Sequence, residues 1–267
     1  VKPVAFEYVA ARSLEEAVAA LADGGEDAKP IAGGQSLVPA LNMRLVRPTL
    51  LVDLNRAGLE GIERENGAVR VGATTRQSDL LRSADCPPLA AEALPHVGHV
   101  VTRNRGTIGG SIAHADAGAE LPVCLVALGG TVVTSRRELA AEEFFTGPYT
   151  TALEPGELVV ATLWPAPEGP VAFEELALRA GDFALAMVAV NGTRVVVGAV
   201  TGAPALLEEV GRLLGEGEPG DALAAEAGAL AASLVDPPGH LHAAAGYLEH
   251  LTGVLVERAL RRAWTSS

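Results

Sequence analysis

Cysteine is almost absent: Cys86 and Cys124 are the only two in 267 residues. An iron–sulfur cluster takes four thiolates, so this chain holds none by itself. Two cysteines make no disulfide framework either, which points to a reducing compartment, the cytoplasm. Lysine is equally scarce. Lys2 and Lys29 stand alone, and arginine supplies the other basic residues. Twenty basic against 33 acidic residues leave a formal net charge of −13. That balance argues against nucleic-acid backbones and anionic membranes as partners, although backbone N–H groups can still bind an anion locally. Long apolar runs are also missing. The longest, Leu121 to Val133, is broken by Pro122, Gly129 and Gly130 and is too short to cross a bilayer. Val1 to Ala11 carries charges and no apolar signal-peptide segment.

What is present excludes disorder: 49% of residues are hydrophobic and 20% are charged. A chain of this length buries about 75% of its unfolded surface and needs no disulfide or metal staple. Two or three subdomains are expected. Ser13-Leu14-Glu15-Glu16 has the spacing of a capping box, and Leu14, Ala17, Val18 and Leu21 form one helical stripe. A short strand, Lys29 to Ala32, runs into Gly33-Gly34-Gln35-Ser36, and a helix is expected over Leu37 to Val46 with Ser36 as its cap. Leu50 to Leu54 reads as a buried strand. Strands are expected at Ala68 to Ala73, Thr131 to Thr134 and Leu158 to Trp164, and helices at Thr75 to Leu81, Leu89 to Ala93, Leu121 to Leu128 and Ala141 to Phe145. Val100 to Glu120 reads as a long polar, glycine-punctuated segment. Pro165 to Pro170 is the clearest linker. Beyond it lie three expected strands, the last two joined by Asn191-Gly192, a strong hairpin signal. Three helical runs follow, Leu206 to Leu214, Ala222 to Leu234 and Ala243 to Ala263. These boundaries divide the chain into 1–55, 56–167 and 168–267.

Two glycine-rich segments carry the chemistry. The first, Ala32 to Leu37, lies between a strand and a helix. Paired glycines permit positive φ and close backbone approach, and the helix behind them offers unpaired N–H groups, so a phosphate could be held there. The segment is neither a G-x-G-x-x-G nor a P-loop, and alone it reads first as a tight turn. The second, Thr107-Ile108-Gly109-Gly110-Ser111 with His114 and Asp116 beyond, alone reads first as a surface loop. Together the two favour a dinucleotide held between subdomains, with Glu120 available to sugar hydroxyls. Asp116 is as readily a solvated loop carboxylate. His96 with His99, and His240 with His242, lack a third ligand, so no metal is expected. Cys86 and Cys124 read as packing residues. Arg258, Arg261 and Arg262 read as complements to the dipole of the last helix.

The residues resemble the flavoprotein (medium) subunits of molybdenum-containing hydroxylases, the carbon monoxide dehydrogenase and xanthine dehydrogenase family. The resemblance spans nearly the whole chain. It rests on Lys2-Pro3 and Phe6-Glu7-Tyr8, on AGGQSLVPALNMRLVRP at 32–48, LVDLN at 51–55, and TIGGSIAHADAGAELP at 107–122. Phe145 to Pro148, Arg179 to Ala184 and the start of the last helix complete it. It implies an α+β fold of the vanillyl-alcohol-oxidase type: two α+β subdomains enclosing FAD, then a C-terminal domain of a three-stranded antiparallel sheet and a helical bundle. It also implies roles. Ala32, Gly33, Gly34, Gln35, Ser36 and Leu37 would wrap the diphosphate, with Lys29 just before. Thr107, Ile108, Gly109, Gly110 and Ser111 would complete that site. Glu120 would bind cofactor hydroxyls and Val159 would pack on the cofactor. Arg179 to Phe183, including Asp182, would lie near the isoalloxazine. Gln35 stands where many members carry His, Ala117-Gly118 replaces a common Pro-Ala, and the lysine that xanthine dehydrogenase-type relatives place near the flavin before the Arg179 loop has no counterpart, since the only lysines are Lys2 and Lys29. That last departure bears on the terminal acceptor.

The function implied is electron transfer by noncovalent FAD within a three-component oxidoreductase. The molybdenum cofactor would sit on a large partner subunit and two [2Fe-2S] clusters on a small one, assembled as a dimer of heterotrimers. The flavin would then carry the chemistry, with no catalytic side chain required. The alternatives are a self-sufficient flavin oxidase or reductase of the same fold, and a flavin-free scaffold.

Overall fold

The computed structural model describes residues 2–239 and 241–265, so His240 lies outside the described residues. Three packed units follow one another along the chain. The first is a parallel sheet of three strands, β1 (Glu7–Ala10), β2 (Ala28–Ile31) and β3 (Leu50–Asp53), in the order β1-β3-β2. α1 (Leu14–Gly24) crosses from β1 to β2, and α2 (Leu37–Asn42) from β2 to β3. Ser13 caps α1 by accepting from Glu16 N, while Glu16 reaches back to Arg12 N rather than to the cap residue itself. α2 is shorter than the expected Leu37 to Val46. Arg44 turns to φ 58°, and Leu45 N then donates to Ala40 O, closing the helix end. Ser36 precedes α2 without a side-chain capping bond.

The second unit carries an antiparallel sheet of β4 (Ile62–Glu65), β5 (Ala68–Gly72), β6 (Thr131–Thr134), β7 (Glu138–Ala140) and, after the intervening elements, β10 (Val159–Pro165), ordered β4-β5-β10-β6-β7. Between β5 and β6 lie α3 (Gln77–Arg82), α4 (Pro88–Ala93), α5 (Val100–Arg103), α6 (Ile108–His114) and α7 (Glu120–Ala127). α8 (Ala141–Phe144), β8 (Phe145–Gly147) and β9 (Thr150–Thr151) precede β10. The supposed polar loop 100–120 therefore holds two short helices. Thr107 makes the second possible by accepting from Gly110 N, satisfying an otherwise orphaned donor of α6.

The third unit is the sheet β11 (Val171–Ala177), β12 (Ala184–Asn191), β13 (Arg194–Gly198) and β14 (Ala205–Leu206), followed by α9 (Glu208–Glu216), α10 (Asp221–Leu234) and α11 (Ala245–Thr265). The two-residue β14 makes four strands where three were expected; Leu206 pairs with Val196 and Ala205 with Val197. Asn191 pairs with Arg194 across the turn at Gly192. All eight residues of β12 are buried. Met187 and Ala189 join Leu125, Trp164 and Phe173 in the core of the second unit, while Ala186, Val188 and Val190 face Leu248, Leu255 and Val256 of α11 in another core. The arginines of α11 are not confined to the helix dipole. Arg258 pairs with Glu174, Arg261 with Asp221, and Arg262 with Glu92 and Glu174. Among the described residues no helix is long and apolar enough to cross a membrane.

Candidate functional site

A cleft of about 760 Å³ opens where the carboxyl ends of the first sheet meet the second unit. Ala32 to Leu37, the turn leaving β2, forms part of one wall, with Lys29 beside it. The N–H groups of Gly33, Gly34, Gln35, Ser36 and Leu37 find no acceptor among the described residues. Such a run of unspent donors is an anion nest. The two glycines serve it differently. Gly34 sits at φ 72°, where a Cβ is strained. Gly33 has an ordinary φ but lies against the opposite unit; a Cβ there would collide with Arg105 O and come within 2.9 Å of Gly106 Cα.

The second segment lines the same cleft through Thr107, Gly109, Gly110, Ser111, His114 and Asp116, but it is no second nest. Ile108 N donates to Thr75 O, Gly109 N to Ala73 O, Gly110 N to Thr107 Oγ1 and Ser111 N to Thr107 O. The glycines there permit packing rather than positive φ. A Cβ on Gly109 would lie 2.6 Å from Ala73 Cα, and one on Gly110 the same distance from Thr107 Oγ1. What this wall offers a ligand is a flat backbone and the side chains of Ser111 and His114. His114 packs against Tyr149 at a 50° tilt, with ring centroids 5.1 Å apart. Tyr149 donates in turn to Asp116 Oδ2, whose Oδ1 accepts from Gly118 N, so Asp116 organises its loop.

Two groups in the cleft escape a reading of the sequence. Thr74 Oγ1 and Gln77 Oε1 are buried with no hydrogen-bond partner. An orphaned buried polar atom costs about 1–3 kcal/mol, which a bound molecule rich in hydroxyls or amides recovers. The signal in the sequence was the polar run Thr74-Thr75-Arg76-Gln77 directly after an alternating strand. Val159 lines the cleft as an aliphatic surface, and Phe183, 65% exposed, stands at its edge against Gly118 together with Asp182. Glu157 lines it too but is committed elsewhere. Against the desolvation of its position, hydrogen bonds from Arg137, Glu154 N and Thr134 hold its carboxyl at about 2.

Glu120 behaves oppositely. It opens α7, where a helix N-terminus favours a carboxylate, yet it is only 5% exposed. Desolvation dominates, and with Glu175 and Asp116 nearby its carboxyl is pushed up to about 8 from an ordinary 4.5. Between those values the folded protein binds more protons than the unfolded chain, so its stability falls as pH rises. The whole effect is on the order of 5 kcal/mol. Glu120→Gln should therefore leave the urea midpoint of the ligand-free protein unchanged at about pH 3.5, below both values, and raise it progressively above wild type toward pH 8. Equal midpoints across that range would show that Glu120 stays ionised.

Two of the expected residues do not reach the cleft. Ile108 is fully buried beneath α6, in the core with Val71 and Leu121. Arg179 is exposed and lines a separate hollow of about 190 Å³ with His96 and Glu175. His96 Nδ1 lies 3.2 Å from Glu175 Oε1, and no group of three or more His, Cys, Asp or Glu side chains is placed to hold a metal among the described residues. Cys124 is fully buried, and desolvation pushes its thiol up.

Residues 4–167 match the model of the FAD-binding domain in molybdopterin dehydrogenase, and residues 171–263 match the CO dehydrogenase flavoprotein C-terminal domain. The carbon monoxide dehydrogenase medium chain of Hydrogenophaga pseudoflava is 38% identical over 98% of both chains. Subunit alpha of the 6-hydroxypseudooxynicotine dehydrogenase complex of Paenarthrobacter nicotinovorans is 46% identical over 69% of this chain; the match spans 66% of that relative, just under two thirds. Among solved structures, quinoline 2-oxidoreductase from Pseudomonas putida 86 superposes with a TM-score of 0.95 at 35% identity, covering 100% of this chain and 99% of that one. Reconstituted CO dehydrogenase from Oligotropha carboxidovorans gives 0.95 at 33% identity over the whole of both chains. With two family models matched in order and relatives aligned from end to end, the chain belongs to the FAD-binding medium subunits of molybdenum hydroxylases, an oxidoreductase family that includes the carbon monoxide dehydrogenase flavoprotein.

Proposed function

We propose that this chain binds FAD noncovalently in the cleft and passes electrons, in the cytoplasm, from the [2Fe-2S] clusters of a small partner subunit to an external acceptor. A large partner would hold the molybdenum cofactor and oxidise the substrate, in a dimer of heterotrimers. The observation that carries this reading is the run of five unspent N–H donors from Gly33 to Leu37, facing a wall with two orphaned polar atoms. When bound, FAD supplies the redox chemistry. The residues of this chain bind and orient. Gly33 to Leu37 donate to the diphosphate, and Lys29 adds a positive charge beside it. Thr74, Gln77 and Ser111 meet hydroxyl and amide groups. Glu120, protonated at neutral pH, donates a hydrogen bond without adding a second buried negative charge. Val159 and Phe183 exclude water from the ring, with Asp182 beside Phe183 at the rim. Units 1–55 and 56–167 enclose the cofactor, and 168–267 contributes the Phe183 loop.

Acid precipitation should release all flavin into the supernatant, and chromatography should identify it as FAD. His114 is the one histidine of the two glycine segments, and no cysteine lines the cleft. Flavin retained in the pellet, or FMN in its place, would contradict the proposal.

A further inference from the structure

A chain of hydrogen bonds outside the cleft surrounds the segment that lines it. Asn55, two residues beyond β3, receives the Asp53 carboxylate: its own N–H donates to Asp53 Oδ1 at 2.8 Å, as does its side-chain amide. The same Nδ2 donates to Ala32 O at 3.0 Å, while Oδ1 accepts from Arg76 Nη2 at 2.6 Å. Turned the other way, the amide would set its oxygen against two acceptors and its nitrogen against a guanidinium, so the chemistry fixes its orientation. Arg76 then donates through Nη1 to Arg105 O at 2.6 Å. That carbonyl is the atom lying against Gly33. Tyr8 anchors the other end by donating to Asp53 Oδ2.

We infer that Asn55 is a positioning residue for the nest, acting through the backbone with Arg76 as its second arm. The reason is peptide planarity. The carbonyl of Ala32 and the N–H of Gly33 belong to one rigid amide and point in opposite directions. Holding Ala32 O toward Asn55 fixes the direction of the first unspent donor in the cleft. Arg76 holds Arg105 O against the other side of Gly33, so the peptide is clamped from both units at once. Neither Asn55 nor Arg76 lines the cleft. Their effect should fall on ligands that carry the diphosphate and spare those that do not.

The inference rests on the FAD reading, and the test separates the two. The flavin-stripped full-length chain is titrated with FAD, ADP and riboflavin. Asn55→Ala should weaken FAD and ADP by about 10- to 100-fold, the loss of one or two oriented donors to a charged group, and leave riboflavin within about twofold of wild type. Asn55→Asp keeps the acceptor for Arg76 but loses the donor to Ala32 O, and should weaken FAD and ADP as Asn55→Ala does. Riboflavin binding reports an intact cleft in each variant. Wild-type affinity for FAD and ADP in Asn55→Ala, or an equal loss for all three ligands, would overturn the positioning role while leaving the FAD reading in place. A wild-type chain that takes up none of the three would overturn both.

Discussion

Gly33→Ala should give a folded protein that purifies almost free of flavin. The added methyl has no room: it meets Arg105 O directly and lies 2.9 Å from Gly106 Cα, both backbone atoms that no rotamer change can move. The two walls must separate or the Ala32–Leu37 turn must tilt, and either displaces the donors of the nest. Hydrogen bonds to a charged group contribute about 1.5–3 kcal/mol each. Losing one lowers affinity by about 10- to 100-fold, and losing two multiplies that factor. Gly33 is buried, but the three hydrophobic cores lie away from this turn, so a local displacement should leave the fold intact. Gly215→Ala is the control: its Cβ meets nothing within 4 Å on α9, and flavin content should stay at the wild-type level. The ratio of 450 nm to 280 nm absorbance reads both. Full occupancy in Gly33→Ala would show that the diphosphate lies elsewhere.

The isolated chain should be unable to oxidise the organic substrate of its complex at any detectable rate. Its two cysteines are Cys124, sealed inside α7, and Cys86, whose thiol desolvation pushes up to about 11. Neither serves as a cluster ligand or a nucleophile under such conditions. On the function proposed above, electrons enter the flavin from another protein. Mixed with both partner subunits, the chain should lose its flavin absorbance when substrate is added anaerobically. Leaving out the [2Fe-2S] subunit should abolish that bleaching. Bleaching by substrate with this chain alone would establish a self-sufficient oxidase, and a chain that never carries flavin would point to a scaffold.

The first unit is readable because its signals are local. The strand expected at Lys29 to Ala32, found one residue earlier as Ala28–Ile31, the glycine pair and the following helix are each encoded within a few residues, and the unspent donors follow from that order. The Asn191-Gly192 turn is local in the same way. The second segment misleads for a physical reason. Glycine is a poor helix former, so Gly109-Gly110 looks like loop, yet contact with Ala73 demands glycine and Thr107 supplies the cap that lets the helix begin. Thr74 and Gln77 become conspicuous only once the fold has buried them without partners. The resemblance places Arg179 near the isoalloxazine, whereas it lines the neighbouring hollow, while Gly181, Asp182 and Phe183 of the same loop line the cleft. Asn55 lies within the LVDLN run, whose length and apolar character announce a strand and say nothing of what its last amide holds.

Strand β12, enclosed on both faces, has a consequence for how this family can be recombined. The linker after Pro165 marks a change of family model and invites a cut there. Yet Met187, Ala189 and Val196 complete a hydrophobic core begun by Val71, Leu125 and Trp164. Gly198 admits the Val123 methyl so closely that a Cβ would collide with it at 2.5 Å. A chimera that joins this N-terminal portion to a relative's C-terminal portion therefore inherits a jigsaw seam. Its success depends less on where the crossover falls than on whether the donor's strand carries side chains that mesh with α7. Exchange of modules between such subunits is limited by an interior surface, one that neither solvent nor cofactor ever touches.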